Sequence, residues 1–124
     1  MSGPLLDRFE IVSFSHIWKS KKNMSLIEIQ SQVKRARQFA AESRGQKIMN
    51  SRLSLKECEE MIPDFVRRNL LPEMSYSHRR LIALYRVART VADLELCIDV
   101  NGRHIEMAKN LTIQPFKEIK EAWR

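Results

Sequence analysis

From Ser77 to Leu94 the chain reads SHRRLIALYRVARTVADL, with apolar residues recurring three and four positions apart. At 3.6 residues per turn Leu81, Leu84, Tyr85, Ala88, Val91 and Ala92 share one arc, which predicts a long helix with that face in a core. Ser75 or Ser77 is placed to cap it, and the pattern continues to roughly Leu96. Upstream, Ser25-Leu26-Ile27-Glu28 forms a capping box. Ile29, Val33, Ala36 and Ala40 then keep helical spacing to about Arg44, and Gly45 predicts the stop. A second box, Ser54-Leu55-Lys56-Glu57, opens a short helix. Pro63 either starts the next one or kinks this one, and Pro72 closes the region. Asn101 predicts a helix over NGRHIEMAKNL, and Pro115 a last short one ending at Trp123. Only Phe9 to Phe14, FEIVSF, alternates like a strand, and a lone strand leaves its backbone donors without partners. The predicted fold class is therefore mostly α: a small helical bundle with one orphan N-terminal strand.

At 124 residues the chain can bury one modest core, which excludes a large two-domain enzyme. The net charge is +7 and its distribution is uneven. Between His16 and Arg52 stand Lys19, Lys21, Lys22, Lys34, Arg35, Arg37, Arg44, Lys47 and Arg52 against only Glu28 and Glu42, so this block holds the entire excess. Such a block suits phosphates, nucleic acid or an acidic protein surface, and equally a solvated helix face. No apolar run approaches the length of a bilayer span and no signal-peptide pattern opens the chain, so it is expected to be cytoplasmic with no membrane partner. Cys58 and Cys97 have neither disulfide nor zinc-site spacing and are expected to be free thiols in a reducing compartment.

A search for catalytic machinery finds little. There are only three glycines, Gly3, Gly45 and Gly102, and no GxxxxGK[ST] loop, which excludes an autonomous nucleotidase. His16, His78 and His104 lie in separate segments and are read as surface or capping residues rather than metal ligands. The methionines are scattered as gap-fillers of a small core. Glu57, Glu59 and Glu60 gather at a helix front, where the dipole favours them. The long helix is more unusual. Opposite its apolar arc, Arg79, Arg86, Arg89 and Asp93 fall within about 80° of one another, with Arg80 on the flank. Arg89 and Asp93 are spaced to pair, an interaction worth about 0.3–0.5 kcal/mol on an exposed helix. Structural support is the expected role of Arg86 and Arg89.

Four stretches then occur in a telling order: SGPLLDRFEI (Ser2 to Ile11), SLIEIQSQVKRARQ (Ser25 to Gln38), SHRRLIALYRVARTVADLE (Ser77 to Glu95) and DVNGRHIEMAKNL. In order and spacing the chain resembles the C-terminal part of the magnesium-chelatase-like AAA+ ATPases, and most closely the bacterial ComM/YifB group. LLDRF and VARTVADLE carry the resemblance together, and the region from Pro63 to Ser77 is shorter than the family pattern. The resemblance implies a division into residues 1–23, the end of an ATPase core with a mobile linker, and residues 24–124, a helical AAA+ lid domain. It implies that the arginine of LLDRF, here Arg8, is an arginine finger, and that the arginine opening the lid helix, here Arg79, is sensor 2 and contacts ATP phosphates. A slip of one position would transfer that role to Arg80.

By the same resemblance, the full-length protein would be an ATPase using ATP and Mg2+. Its own AAA+ core would precede this stretch, and it would assemble as a homo-oligomeric ring, a hexamer, for DNA processing as in competence. The isolated chain would be no enzyme and would need no cofactor or metal. A second reading stays open, in which a stand-alone basic helical module binds nucleic acid or an acidic protein partner. Lys34, Arg35, Arg37 and Arg44 are its candidate nucleic-acid contacts.

Overall fold

A computed structural model of the chain describes residues 10–11, 24–68, 77–115 and 118. Five helices stand among them: α1 (Leu26–Glu42), α2 (Leu55–Met61), α3 (Asp64–Arg68), α4 (His78–Leu94) and α5 (Gly102–Thr112), with a 3-10 turn at Asn50–Arg52. The mostly α bundle is thus as the periodicity predicts.

The starts follow local chemistry. Ser25 accepts from the Glu28 amide at 3.2 Å, and Glu28 answers the Ser25 amide at 3.4 Å. Ser54 and Glu57 do the same at the head of α2, at 3.2 Å in both directions. Each box satisfies amides that a first helical turn leaves without intrahelical partners. Ser77, not Ser75, caps α4 through the Arg80 amide. The ends are equally legible. After α1, Gly45 takes φ +65° while the Gln46 amide bonds the Ala40 carbonyl at 2.9 Å, a reversal in which glycine carries no Cβ penalty. Ile62 is extended, as a residue before proline prefers, so Pro63 starts α3 instead of kinking α2.

α4 is the axis of the molecule. α1, α2, α5 and the 3-10 turn all pack on it. The predicted apolar arc is in the core: Leu84, Tyr85, Ala88, Val91 and Ala92 are buried, and Leu81 is packed against them. Leu53, Cys58, Ile62, Val100 and Ile105 close that core from the surrounding elements. Burial goes beyond the arc, however. Ala83 and Val87 are also buried, as are Arg80, Arg89 and Asp93, each only 2% exposed. A solvated Arg89–Asp93 pair is therefore corrected: the pair forms, at 3.1 Å, but inside the protein.

Of the strand expected over Phe9 to Phe14, Glu10 lies in a bend and Ile11 in irregular chain. The other four residues lie outside the described set, as does most of the final helix expected up to Trp123. No helix among the described residues is long and apolar enough to cross a membrane.

Candidate functional site

The four arginines of α4 divide by what holds them. Arg80 donates through Nη1 to the Thr112 carbonyl at 2.8 Å and to the Glu10 carbonyl at 3.3 Å, tying the start of α4 to the end of α5. Arg86 donates through Nε to the Leu53 carbonyl at 2.9 Å and pairs with Glu10 at 2.7 Å. Arg89 reaches the carbonyls of Ile98 and Cys97 at 2.6 and 2.5 Å. Burial lowers the Arg89 pKa, and the neighbouring Asp93 charge opposes that shift. Arg79 differs from all three. It is exposed in the first turn of α4, and no hydrogen bond or ion pair holds it among the described residues.

A second group of polar side chains joins α1 to α4. Arg44, just beyond α1, grips Asp93 with Nε and Nη2, each at 2.8 Å, in the bidentate geometry that suits guanidinium and carboxylate. Asn50 adds a bond to Asp93 at 2.9 Å, and Gln46 bridges Arg44 and Asn50 at 2.8 and 2.7 Å. Asp93 thereby faces two arginines, Arg44 and Arg89. Of the candidate nucleic-acid contacts, Arg44 is thus turned inward and occupied. Lys34, Arg35 and Arg37 are exposed on α1, and Lys47 and Arg52 are exposed in the segment that follows. At 3.6 residues per turn the three α1 cations spread over about 160° of the helix, a broad basic surface rather than a line.

Arg8 lies outside the described residues, as do His16, Lys19, Lys21 and Lys22. His78 is exposed at the start of α4. His104 is where the reading of the sequence fell short. It does cap: its Nδ1 accepts from the Asn101 amide at 3.1 Å, completing a box at the head of α5. But it is fully buried, with Nε2 at 2.5 Å from Glu95 Oε2, and Glu95 in turn pairs with Arg103 at 2.7 Å. The Arg103 hydrogen bonds, more than the one from His104, hold the Glu95 carboxyl below its usual range. Cys97 completes this cluster, so His104 does have acidic and thiol neighbours. The signal was weak, because the eight residues between Glu95 and His104 contain a turn whose path the sequence does not state.

The family model described as magnesium chelatase, subunit ChlI C-terminal, matches residues 23–111. The chain belongs to this family. The matched span opens just before α1 and takes in all of α5 but its last residue, so the whole bundle around α4 is the magnesium chelatase C-terminal domain, the lid of a magnesium-chelatase-like AAA+ protein. No curated protein and no solved structure matches the chain. In this magnesium chelatase C-terminal domain Arg80, Arg86 and Arg89 act as internal fasteners, and Arg79 is the exposed member of the set.

Proposed function

We propose that this domain is the lid of an ATP-hydrolysing ring of the ComM/YifB type, and that Arg79 is its sensor 2. The observation that carries the reading is the contrast at the start of α4. Arg80 is committed to the carbonyl oxygens of Thr112 and Glu10, whereas Arg79 stands exposed with no partner among the described residues. A phosphate sensor needs that freedom, because its guanidinium must leave the lid and meet a nucleotide held by another domain. Phosphoryl transfer spreads charge over the equatorial oxygens, and a permanently charged planar fork of donors can stabilise it. Arg8 is the arginine finger in this account, directed at the nucleotide of the neighbouring subunit. ATP and Mg2+ belong to the preceding core, since this chain has no phosphate loop. DNA is the substrate we infer for the assembled ring, by likeness to the ComM/YifB group.

The test is the ATPase rate of the full-length protein carrying Arg79→Ala, with Arg80→Ala as the comparison. The reading expects Arg79→Ala to lower the rate while leaving the unfolding midpoint unchanged. Arg80→Ala should lower the midpoint first. An unchanged rate in Arg79→Ala removes sensor 2 from the account.

A second reading rests on the exposed cations Lys34, Arg35, Arg37, Lys47 and Arg52. If the domain itself grips DNA, the isolated chain should bind it with an affinity that falls steeply with salt, because each phosphate contact releases a counterion. Binding that is absent at low salt discards this reading and leaves the lid reading untouched.

A further inference from the structure

The turn between α4 and α5 gathers an oxygen, a sulfur and a nitrogen donor. The carboxylate of Glu95, Sγ of Cys97 and the ring of His104 all lie within 4.8 Å of one another. We propose that these three side chains bind a divalent transition-metal ion of the zinc or cobalt type, with water completing its coordination.

The donor set argues for that class of ion. Thiolate and imidazole favour borderline metals such as Zn2+ and Co2+, whereas Mg2+ and Ca2+ prefer sites built from oxygen. The backbone that presents the donors is fixed at several points. Leu96 reverses the chain at φ +57°, and the Cys97 amide bonds the Ala92 carbonyl at 2.8 Å. Arg89 holds the carbonyls of Cys97 and Ile98 from beneath. His104 is fully buried in the first turn of α5, so its ring position is set by packing. Glu95 is exposed and Cys97 half-buried, which leaves an approach from solvent.

Three adjustments accompany binding, and they balance. The Cys97 thiol gives its proton to solvent as the sulfur becomes a thiolate ligand. The Asn101 amide bond to Nδ1 keeps the His104 proton on Nε2, where it faces Glu95. For Nε2 to ligate, that proton moves to Nδ1 and the Asn101 bond is given up, so the imidazole stays neutral. Arg103 must release the Glu95 carboxylate oxygen that the ion takes. One proton leaves per ion bound, and a cap bond with an ion-pair contact is exchanged for a metal bridge between α4 and α5. The site is therefore of modest affinity, and Arg103 is its internal competitor.

Co2+ titration of the full chain tests this directly. The expected result is one equivalent of Co2+ producing a thiolate-to-cobalt charge-transfer band that Zn2+ abolishes and Mg2+ does not. Cys97→Ser should lose the band, Glu95→Gln should weaken binding, and Cys58→Ser should leave both intact. Arg103→Ala should tighten binding several-fold, which a purely structural role for Arg103 does not predict. Nitrogen-15 spectra should show the His104 proton on Nε2 in the free protein and on Nδ1 at saturating Zn2+. No charge-transfer band, a band that survives Cys97→Ser, or a His104 tautomer unmoved by Zn2+ would each overturn the proposal.

Discussion

α1 and α4 have the same length, 17 residues, and each is capped by a serine. Yet α4 buries ten of its residues, three of them charged, while α1 buries only Ala36. Leu26 and Ile27 at the head of α1 are 70% and 76% exposed, and Ile29 and Val33 are open as well. Length, capping and an apolar stripe make a helix; neighbours on more than one side make it a core element. α4 has those neighbours. α1 meets α4 and is tied to it by a polar joint, Arg44 on Asp93.

The sharpest way to break this contrast is to remove the joint. Asp93→Ala leaves Arg44 and Arg89 buried without their carboxylate and should cost about 3–5 kcal/mol, the range for a broken buried pair. Urea unfolding of the chain measures it, and a loss below about 1 kcal/mol, the range of exposed pairs, would mean that the joint is only a surface contact. Next in size is truncation of the core itself. Leu84→Ala should cost about 2–5 kcal/mol, whereas Ile27→Ala should stay within about 0.5 kcal/mol. Similar losses at the two positions would show that the head of α1 is covered. Smaller still is Ser25→Ala, worth about 1 kcal/mol as a lost cap. Its effect should appear as faster amide exchange confined to the first turns of α1, with α4 unchanged.

The cysteines give the gentlest probe. Burial, opposed by the nearby Arg86 charge, pushes the Cys58 thiol up to about 11 from its ordinary 9.0. The folded state thus favours the neutral thiol. That contribution to stability is complete below pH 9.0 and is lost as pH rises through about 11. In the native protein, alkylation should reach half-buried Cys97 well before Cys58. Equal rates would mean that the packing of α2 on α4 opens readily.

Most of the architecture was legible because it is local. The boxes at Ser25 and Ser54, the stop at Gly45, the cap at Asn101 and the apolar arc of α4 each depend on residues within about three turns of one another. The burial of Arg89 and Asp93 was not legible, because a helical wheel describes one helix and not what surrounds it. Arg44, the residue that draws Asp93 inward, is 49 positions away in the chain. The cluster of Glu95, Cys97 and His104 was hidden for a related reason, since it depends on the left-handed turn at Leu96. At the candidate site, the exposure of Arg79 followed from the wheel. The distinction between Arg79 and Arg80 did not, because it rests on the carbonyl of Thr112.

The fastened arginines of α4 share a habit with an evolutionary consequence. Arg80, Arg86 and Arg89 bond to the main-chain carbonyls of Thr112, Leu53, Cys97 and Ile98. A carbonyl is present whatever residue occupies the position. The segments around α4 can therefore drift in composition between relatives while the arginines keep hold of them, provided the path of the chain is preserved. Substituting the arginines has no such latitude, and a lid of this kind should vary most in the loops its central helix grips.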